Sequence, residues 1–261
     1  MSGEDVVDRI ALVTGAAGGI GAAVVEELAE RGATVAAVDR DPVRLAETVD
    51  KAVAAGLAVA GFAADVTDHV GVEHVVDRVE RELGPLDSLV NVAGVLRLGR
   101  ALELSEDDWD GTLAVNASGV FHVSRAVVRR MLPRRRGAVV TVTSNAAGTA
   151  RVDMAAYAAS KAAAAMFTKC LGLEVAAHGI RCNVVAPGST DTPMLTSMWH
   201  GPGGRVATVG GDPAAFRVGI PLGRVASPHD IADAVAFLLS DQARHITMHE
   251  LTVDGGATLG V

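Results

Sequence analysis

Tyr157 is the only tyrosine of the chain, and Lys161, four residues on, is one of three lysines, with Lys51 and Lys169. Elsewhere the fixed positive charge is arginine. Residues four apart on a helix share a face. Along the Ala-rich segment Ala155–Lys169 the phenol and the ammonium therefore point the same way. A nearby cation favours the phenolate and lowers the phenol's pKa. Free tyrosine titrates near ~10, and a fall of about 2–3 units takes roughly 3–4 kcal/mol. A phenolate poised near working pH is a general base suited to a hydroxyl proton. Ser144 precedes Tyr157 by 13 positions, at the end of an apolar run that reads as a strand. A surface Tyr and Lys on an ordinary helix would show the same spacing, so the rest of the chain has to decide.

Ile10–Val13 is a short apolar run, a buried strand by its pattern. It leads into Thr14-Gly15-Ala16-Ala17-Gly18-Gly19-Ile20-Gly21, followed by a helical stretch, Ala22–Arg31, that Gly32 ends. Thr34–Val38 is the next strand, and Asp39 stands at its C-terminal end. Strand, glycine turn, helix, strand and acid form a dinucleotide-binding βαβ pattern. The glycines let the backbone approach a pyrophosphate, and the helix N-terminus offers it N–H donors. A carboxylate at Asp39 accepts from ribose hydroxyls and repels a 2′-phosphate, whereas Arg40 would attract one. Asp39 holds the strand-end position and weighs more, so the expected cofactor is NAD.

The alternation continues. Helices are expected over Pro42–Ala55, Asp68–Leu83, from Ser105 to near Pro133, over Ala155–His178 and Pro228–Ser240. Strands are expected at Leu57–Ala64, Leu86–Val90, Ala138–Thr143, Ile180–Ala186 and Leu251–Val253. Alternating strands and helices imply a parallel sheet covered on both faces. The fold class is α/β, a Rossmann-type doubly wound parallel sheet in a single domain, 1–261. Asp39, Asp65, Asn91, Ser144 and Pro187-Gly188 all fall at strand C-terminal ends, the edge where such sheets bind ligands.

A net charge of −8 argues against a nucleic-acid partner. Arg134-Arg135-Arg136, between Pro133 and Gly137, reads as a solvated turn. Cys170 and Cys182 are too few for a disulfide framework and fit small buried residues of a reduced, cytoplasmic protein. Met1–Asp8 is acidic, without a signal-peptide h-region, and no apolar run suggests a membrane span. His245 and His249 lack a third ligand, so no metal site is expected.

Several motifs in order resemble the short-chain dehydrogenase/reductase family over essentially the whole chain. They are Thr14-Gly15 to Gly21, Asp65-Val66, Asn91-Val92-Ala93-Gly94, Asn116, Ser144, Tyr157-Ala158-Ala159-Ser160-Lys161, Pro187-Gly188 and Val253-Asp254-Gly255-Gly256. Val92 departs mildly from the family's Asn-Asn-Ala-Gly. The resemblance implies Asn116, Ser144, Tyr157 and Lys161 as the catalytic set. Tyr157 would be the base and Lys161 its pKa partner and ribose contact. Ser144 would hold the substrate oxygen, and Asn116 a water linked to Lys161. It further implies cofactor contacts from the glycine turn (Gly15, Gly18, Gly19, Ile20, Gly21), Asp39, Arg40, Asp65, Val66, Asn91, Ala93, Gly94, Pro187, Gly188, Thr190 and Thr192. Family tetramers imply a homotetramer packed in part through the Tyr157 helix.

Finer similarities lie in Leu96-Arg97-Leu98-Gly99, Arg181 to Thr192, Trp199, Gly219 to Gly223, His245-Ile246-Thr247 and Gly255 to Gly260. They resemble members of the family that oxidise a cyclic dihydrodiol carboxylate to an aromatic catechol acid for siderophores. A carboxylate entering an acidic protein needs a local cation, best a bidentate arginine. Arg97 and Arg151 are the two candidates. The Gly- and Pro-rich stretch of about 189–220 reads as a mobile lid, with Met194 and Trp199 as ring contacts. Three alternatives stay open. They are a dehydrogenase of the amino analogue, a 3-oxoacyl-carrier-protein reductase, and an NAD-binding regulator without chemistry.

Overall fold

A computed structural model describes residues 7–199, 201 and 203–260. Met1–Val6, the larger part of the acidic N-terminal stretch, lies outside the described residues. Seven strands form one parallel sheet: β1 (Ile10–Thr14), β2 (Thr34–Asp39), β3 (Val59–Ala63), β4 (Ser88–Asn91), β5 (Gly137–Val142), β6 (Ile180–Pro187) and β9 (Glu250–Val253). Their spatial order is β3-β2-β1-β4-β5-β6-β9. The order reverses between β1 and β4, and a crevice opens there at the strands' C-terminal ends.

The helices follow the apolar stripes. They are α1 (Gly19–Glu30), α2 (Pro42–Ala54), α3 (His69–Glu82), α4 (Glu106–Leu113), α5 (Gly119–Arg134), α6 (Ala155–Val175) and α9 (Pro228–Leu239). Two aliphatic cores result, one on each face of the sheet. Val24, Leu28, Ile231 and Leu239 from α1 and α9 pack on one face. Val76, Val127 and Met131 from α3 and α5 pack on the other, with Phe62 and Leu89. Central strands buried on both faces explain the continuous apolar runs.

Three local features depart from expectation. The helix from Ser105 runs on to Arg134 as expected, but a π-helical turn, Ala114–Ser118, lies within it between α4 and α5 and carries Asn116. Arg134 is in the last turn of α5, pairing with Glu80 at 3.0 Å and donating to the Leu86 carbonyl at 2.8 Å. Arg135 takes φ 52° and donates to the Ala177 carbonyl. This run is thus anchored at a helix end, not merely solvated. Cys170 is exposed, and only Cys182 is buried.

The stretch expected as a lid carries its own structure. Within it lie α7 (Pro193–Thr196), α8 (Gly204–Gly210) and a hairpin of β7 (Gly211–Asp212) and β8 (Arg217–Val218). Leu195, Ile220 and Val225 form a separate small core, against which Met198, Trp199 and Val209 pack. Among the described residues no helix is long and apolar enough to cross a membrane.

Candidate active site

Two cavities meet over the C-terminal ends of the strands. The larger, about 290 Å³, is walled by Gly15, Gly18, Gly19, Ile20, Gly21, Asp39, Arg40, Asp65, Val66, Ala93 and Gly94. The smaller, about 120 Å³, is lined by Ser144, Tyr157, Arg151, Pro187, Gly188 and Thr190. Ile20, Thr192 and Met194 line both, so the cavities adjoin.

The glycine turn is built for close approach. Gly15 has φ +70°, and a Cβ there would lie 2.7 Å from the Ala93 nitrogen. A Cβ on Gly21 would overlap the Gly15 carbonyl oxygen. No side chain caps the N-terminus of α1, so its first N–H groups face the cavity mouth without a side-chain acceptor. Thr14 fixes the facing loop, its hydroxyl accepting from the Val92 and Ala93 amides at 3.1 and 3.2 Å. Asp39 accepts from the Ala17 and Asp41 amides, both at 3.0 Å. Each carboxylate oxygen keeps lone-pair capacity toward the cavity it lines. A cradle of this depth with an acid at its far wall fits a dinucleotide.

One charged wall residue was not foreseen. Arg44 reaches across the turn, so that a Cβ on Gly18 would lie 2.8 Å from its Nη2. Position in the first turn of α2, at the same sheet edge, is the only signal that places it. Asp65 is exposed at the rim, its Oδ1 held by the Thr67 amide and hydroxyl, both at 2.8 Å. Asn91 is different. Its side chain is buried and donates to Ser124 and Thr141 at 3.0 and 3.4 Å, beneath the cavity and not into it.

Tyr157 and Lys161 project from the first two turns of α6 toward the end of β5. Lys161 is buried, and its Nζ lies 5.8 Å from the centre of the Tyr157 ring. That nitrogen donates to the Val142 carbonyl at 3.0 Å, and burial lowers its pKa from 10.5 to about 8. Burial pushes the Tyr157 phenol above 10.0, and its hydrogen bond with Ser144 acts the other way. Ser144 is thus the hydrogen-bonding partner that favours the phenolate, while the Lys161 Nζ is engaged by the Val142 carbonyl.

The π turn aims the Asn116 side chain inward, as such bulges do where a helix must re-aim a residue. Its Oδ1 accepts from the Val95 amide at 2.8 Å, and its Nδ2 donates to the Val95 carbonyl and the Ser160 hydroxyl at 2.9 and 3.0 Å. Both amide hydrogens and one lone pair of the Oδ1 are committed, so Asn116 clamps the loop after β4 onto α6. A Cβ on Gly94 would lie 3.3 Å from both the Asn116 Oδ1 and the Lys161 Nζ, so these two groups flank Gly94.

The substrate candidates separate. Arg151 and Met194 line the smaller cavity. Arg97 does not; it is exposed and reaches Asp108 at 3.5 Å. Trp199 packs into the small core and donates to Thr208 at 3.0 Å, one layer behind the cavity, and Met198 takes the wall position. Leu96, Met154 and Arg217 also line it and were not anticipated. Among the described residues no group of three His, Cys, Asp or Glu side chains is arranged to hold a metal ion.

A family model described as short chain dehydrogenase matches residues 9–202. The chain belongs to that family, and its activity is that of an oxidoreductase with a nicotinamide cofactor. The chain is 54% identical over 261 residues to the 2,3-dihydro-2,3-dihydroxybenzoate dehydrogenase of Bacillus subtilis (strain 168), covering 100% of both. It is 43% identical to the protein of that name in Escherichia coli (strain K12), over 95% of this chain and 96% of the other. Among solved structures, that of gox2181 superposes with a TM-score of 0.92 at 33% identity, covering 99% of each chain.

Proposed function

We propose that the chain oxidises 2,3-dihydro-2,3-dihydroxybenzoate to 2,3-dihydroxybenzoate with NAD, supplying a catechol acid for siderophore synthesis in the cytoplasm. The observation that carries this is the composition of the smaller cavity. It joins the Ser144 and Tyr157 hydroxyls to an arginine, Arg151, beside the dinucleotide cleft. A hydroxyl to be deprotonated and a carboxylate to be held are the two polar features of that substrate. High identity to relatives of that name supports the same reading.

In this reading Gly15, Gly18, Gly19, Ile20 and Gly21 cradle the pyrophosphate with the N-terminal amides of α1. Asp39 takes the adenosine ribose hydroxyls, which favours NAD over its 2′-phosphate, with Arg40 at the rim. Asp65, Val66, Ala93 and Gly94 line the remaining wall, and Pro187, Gly188, Thr190 and Thr192 close the cavity beyond β6. A bound nicotinamide would supply the hydride acceptor for the carbinol carbon. Ser144 holds the substrate oxygen, and Tyr157 takes its proton. Lys161 supplies positive charge below the phenol and a contact to ribose. Arg151 pairs with the carboxylate, and Met194 lies against the ring. The segment of about 189–220 acts as the lid, and the working unit is a homotetramer.

The amino analogue is less favoured, because among the described residues no Asp or Glu lines the smaller cavity to pair with an ammonium. A panel of both dihydro acids with NAD and NADP, followed by reduced-cofactor absorbance, tests the reading. The hydroxy acid with NAD should give the highest kcat/KM. Turnover of neither acid, or a preference for NADP, refutes it.

A further inference from the structure

The smaller cavity contains a second arginine that the proposed chemistry does not use. Arg217 lies on β8, and the hairpin that presents it is tightly specified. Asp212 pairs with Arg217 across the two strands, and Gly211 with Val218. Gly211 has φ +82°, and a Cβ there would lie 2.5 Å from the Gly219 nitrogen. The Asp212 side chain accepts from the Ala214 amide, and Phe216 turns the chain with φ 54°. The hairpin is therefore a shaped arm, and its inward residue is a cation.

Arg151 and Arg217 line the same cavity as Ser144 and Tyr157. Among the described residues neither guanidinium has an ion-pair or side-chain hydrogen-bond partner. Asp254 is the near acid, but its carboxylate already accepts from Asn145, from Thr258 twice and from the Gly256 amide. Burial lowers the Arg151 pKa and the charge of Arg217 lowers it further, against a smaller opposing effect of Asp254, so the two cations repel across this space. Two like charges facing one small cavity are unfavourable until an anion enters. Arg151 belongs to the loop before α6, which also bears the catalytic pair, whereas Arg217 belongs to the segment with its own small core.

We infer that Arg217 is a specificity-determining residue whose guanidinium closes on the substrate carboxylate opposite Arg151, so that the acid itself draws the hairpin of β7 and β8 over the ring. The inference rests on the functional reading above. Arg217 then separates aromatic acids from neutral diols of the same shape, and it does so from β8, not from the elements that carry the hydroxyl pair.

The test uses the NADH-loaded enzyme and two ligands, 2,3-dihydroxybenzoate and catechol, titrated calorimetrically. Wild type should bind the acid more tightly than catechol. A charge-assisted contact of this kind is worth about tenfold to a hundredfold. Arg217→Ala should lose that factor for the acid and change catechol binding far less. Arg217→Lys should fall between. The acid should also protect the chain from chymotrypsin after the exposed Phe216, and catechol should not. Arg217→Ala should abolish the difference. If the alanine variant does not fold, Arg217→Gln replaces it in the same comparison. Equal losses for acid and catechol, or full acid affinity in the variant, overturn the inference while leaving the functional reading intact. A wild type that does not prefer the acid overturns both.

Discussion

At the scale of single residues, the site sets two pKa values against each other. Burial raises the Tyr157 phenol and lowers the Lys161 ammonium to about 8. Neither shift by itself prepares a base, and the Ser144 hydrogen bond only offsets part of the first. Positive charge from Lys161 together with that of an oxidised nicotinamide is the further source of stabilisation for a phenolate. Tyr157→Phe removes the only proton acceptor at that point. It should lower kcat by about 10²–10⁴-fold while leaving NAD affinity, read by calorimetry, largely unchanged. Near-normal turnover would refute the assignment.

Lys161 makes a second, opposite prediction for stability. A folded pKa below the unfolded 10.5 means that the fold binds this proton less well. The charge therefore costs stability below about pH 8, and the cost fades as pH rises from about 8 toward 10.5. Lys161→Met should raise the Tm at pH 7 while stopping turnover. The ceiling is about 3 kcal/mol, reduced by the lost hydrogen bond to Val142. The two Tm curves should converge above about pH 10. A variant less stable than wild type at pH 7 would show that the buried charge is better compensated than its surroundings imply.

At the scale of elements, strand ends deliver the chemistry, and this much was legible in the sequence. Apolar runs ending in Asp39, Ser144 and Pro187-Gly188 located β2, β5 and β6 within a residue or two. What escaped has physical reasons. β7 and β8 have two residues each, too short for any period. α8 begins and ends in glycine, and its place depends on Trp199, which meets Thr208 from outside the helix. Arg44 and Arg217 look like any other surface arginine until the fold brings them to a cavity. Asn91 was expected at the cofactor, but its strand alternation turns it toward Ser124. The π turn at Asn116 has no pattern of its own, because it inherits the helical period on both sides. A prediction belongs here for the β6 terminus. A Cβ on Gly188 would lie 2.6 Å from the Asp254 Cβ and 2.8 Å from its Cα. Backbone cannot move aside cheaply, so Gly188→Ala should cost about 1–3 kcal/mol of stability in urea unfolding. It should also raise the KM for cofactor, since Asp254 holds the C-terminal turn through Thr258 and Gly256. An unchanged urea midpoint would mean that β6 and the turn after β9 are not packed as closely as that contact implies.

At the scale of the whole molecule, two apolar surfaces lie away from the site. One runs over α5 and α6, where Phe121, Met166 and Leu173 are exposed. Phe121 and Phe167 meet edge to face there, and the Arg125 guanidinium covers the Phe121 ring. Among the described residues the Arg125 Nε is buried without a hydrogen-bond partner. The other surface carries Leu222, Phe237 and Leu259, near α9 and the edge strand β9. If both faces pair with their own copies, two two-fold axes give a tetramer, whereas one such face would stop at a dimer. Because α6 also carries Tyr157 and Lys161, the first face would brace the catalytic helix from behind. Met166→Glu with Leu173→Glu places like charges face to face across such an axis, where they repel. Light scattering after size exclusion should give a tetramer for wild type and a dimer for the double variant, the second face keeping its contact. A double variant that remains tetrameric would remove α6 from the interface, and a monomeric wild type would remove both surfaces.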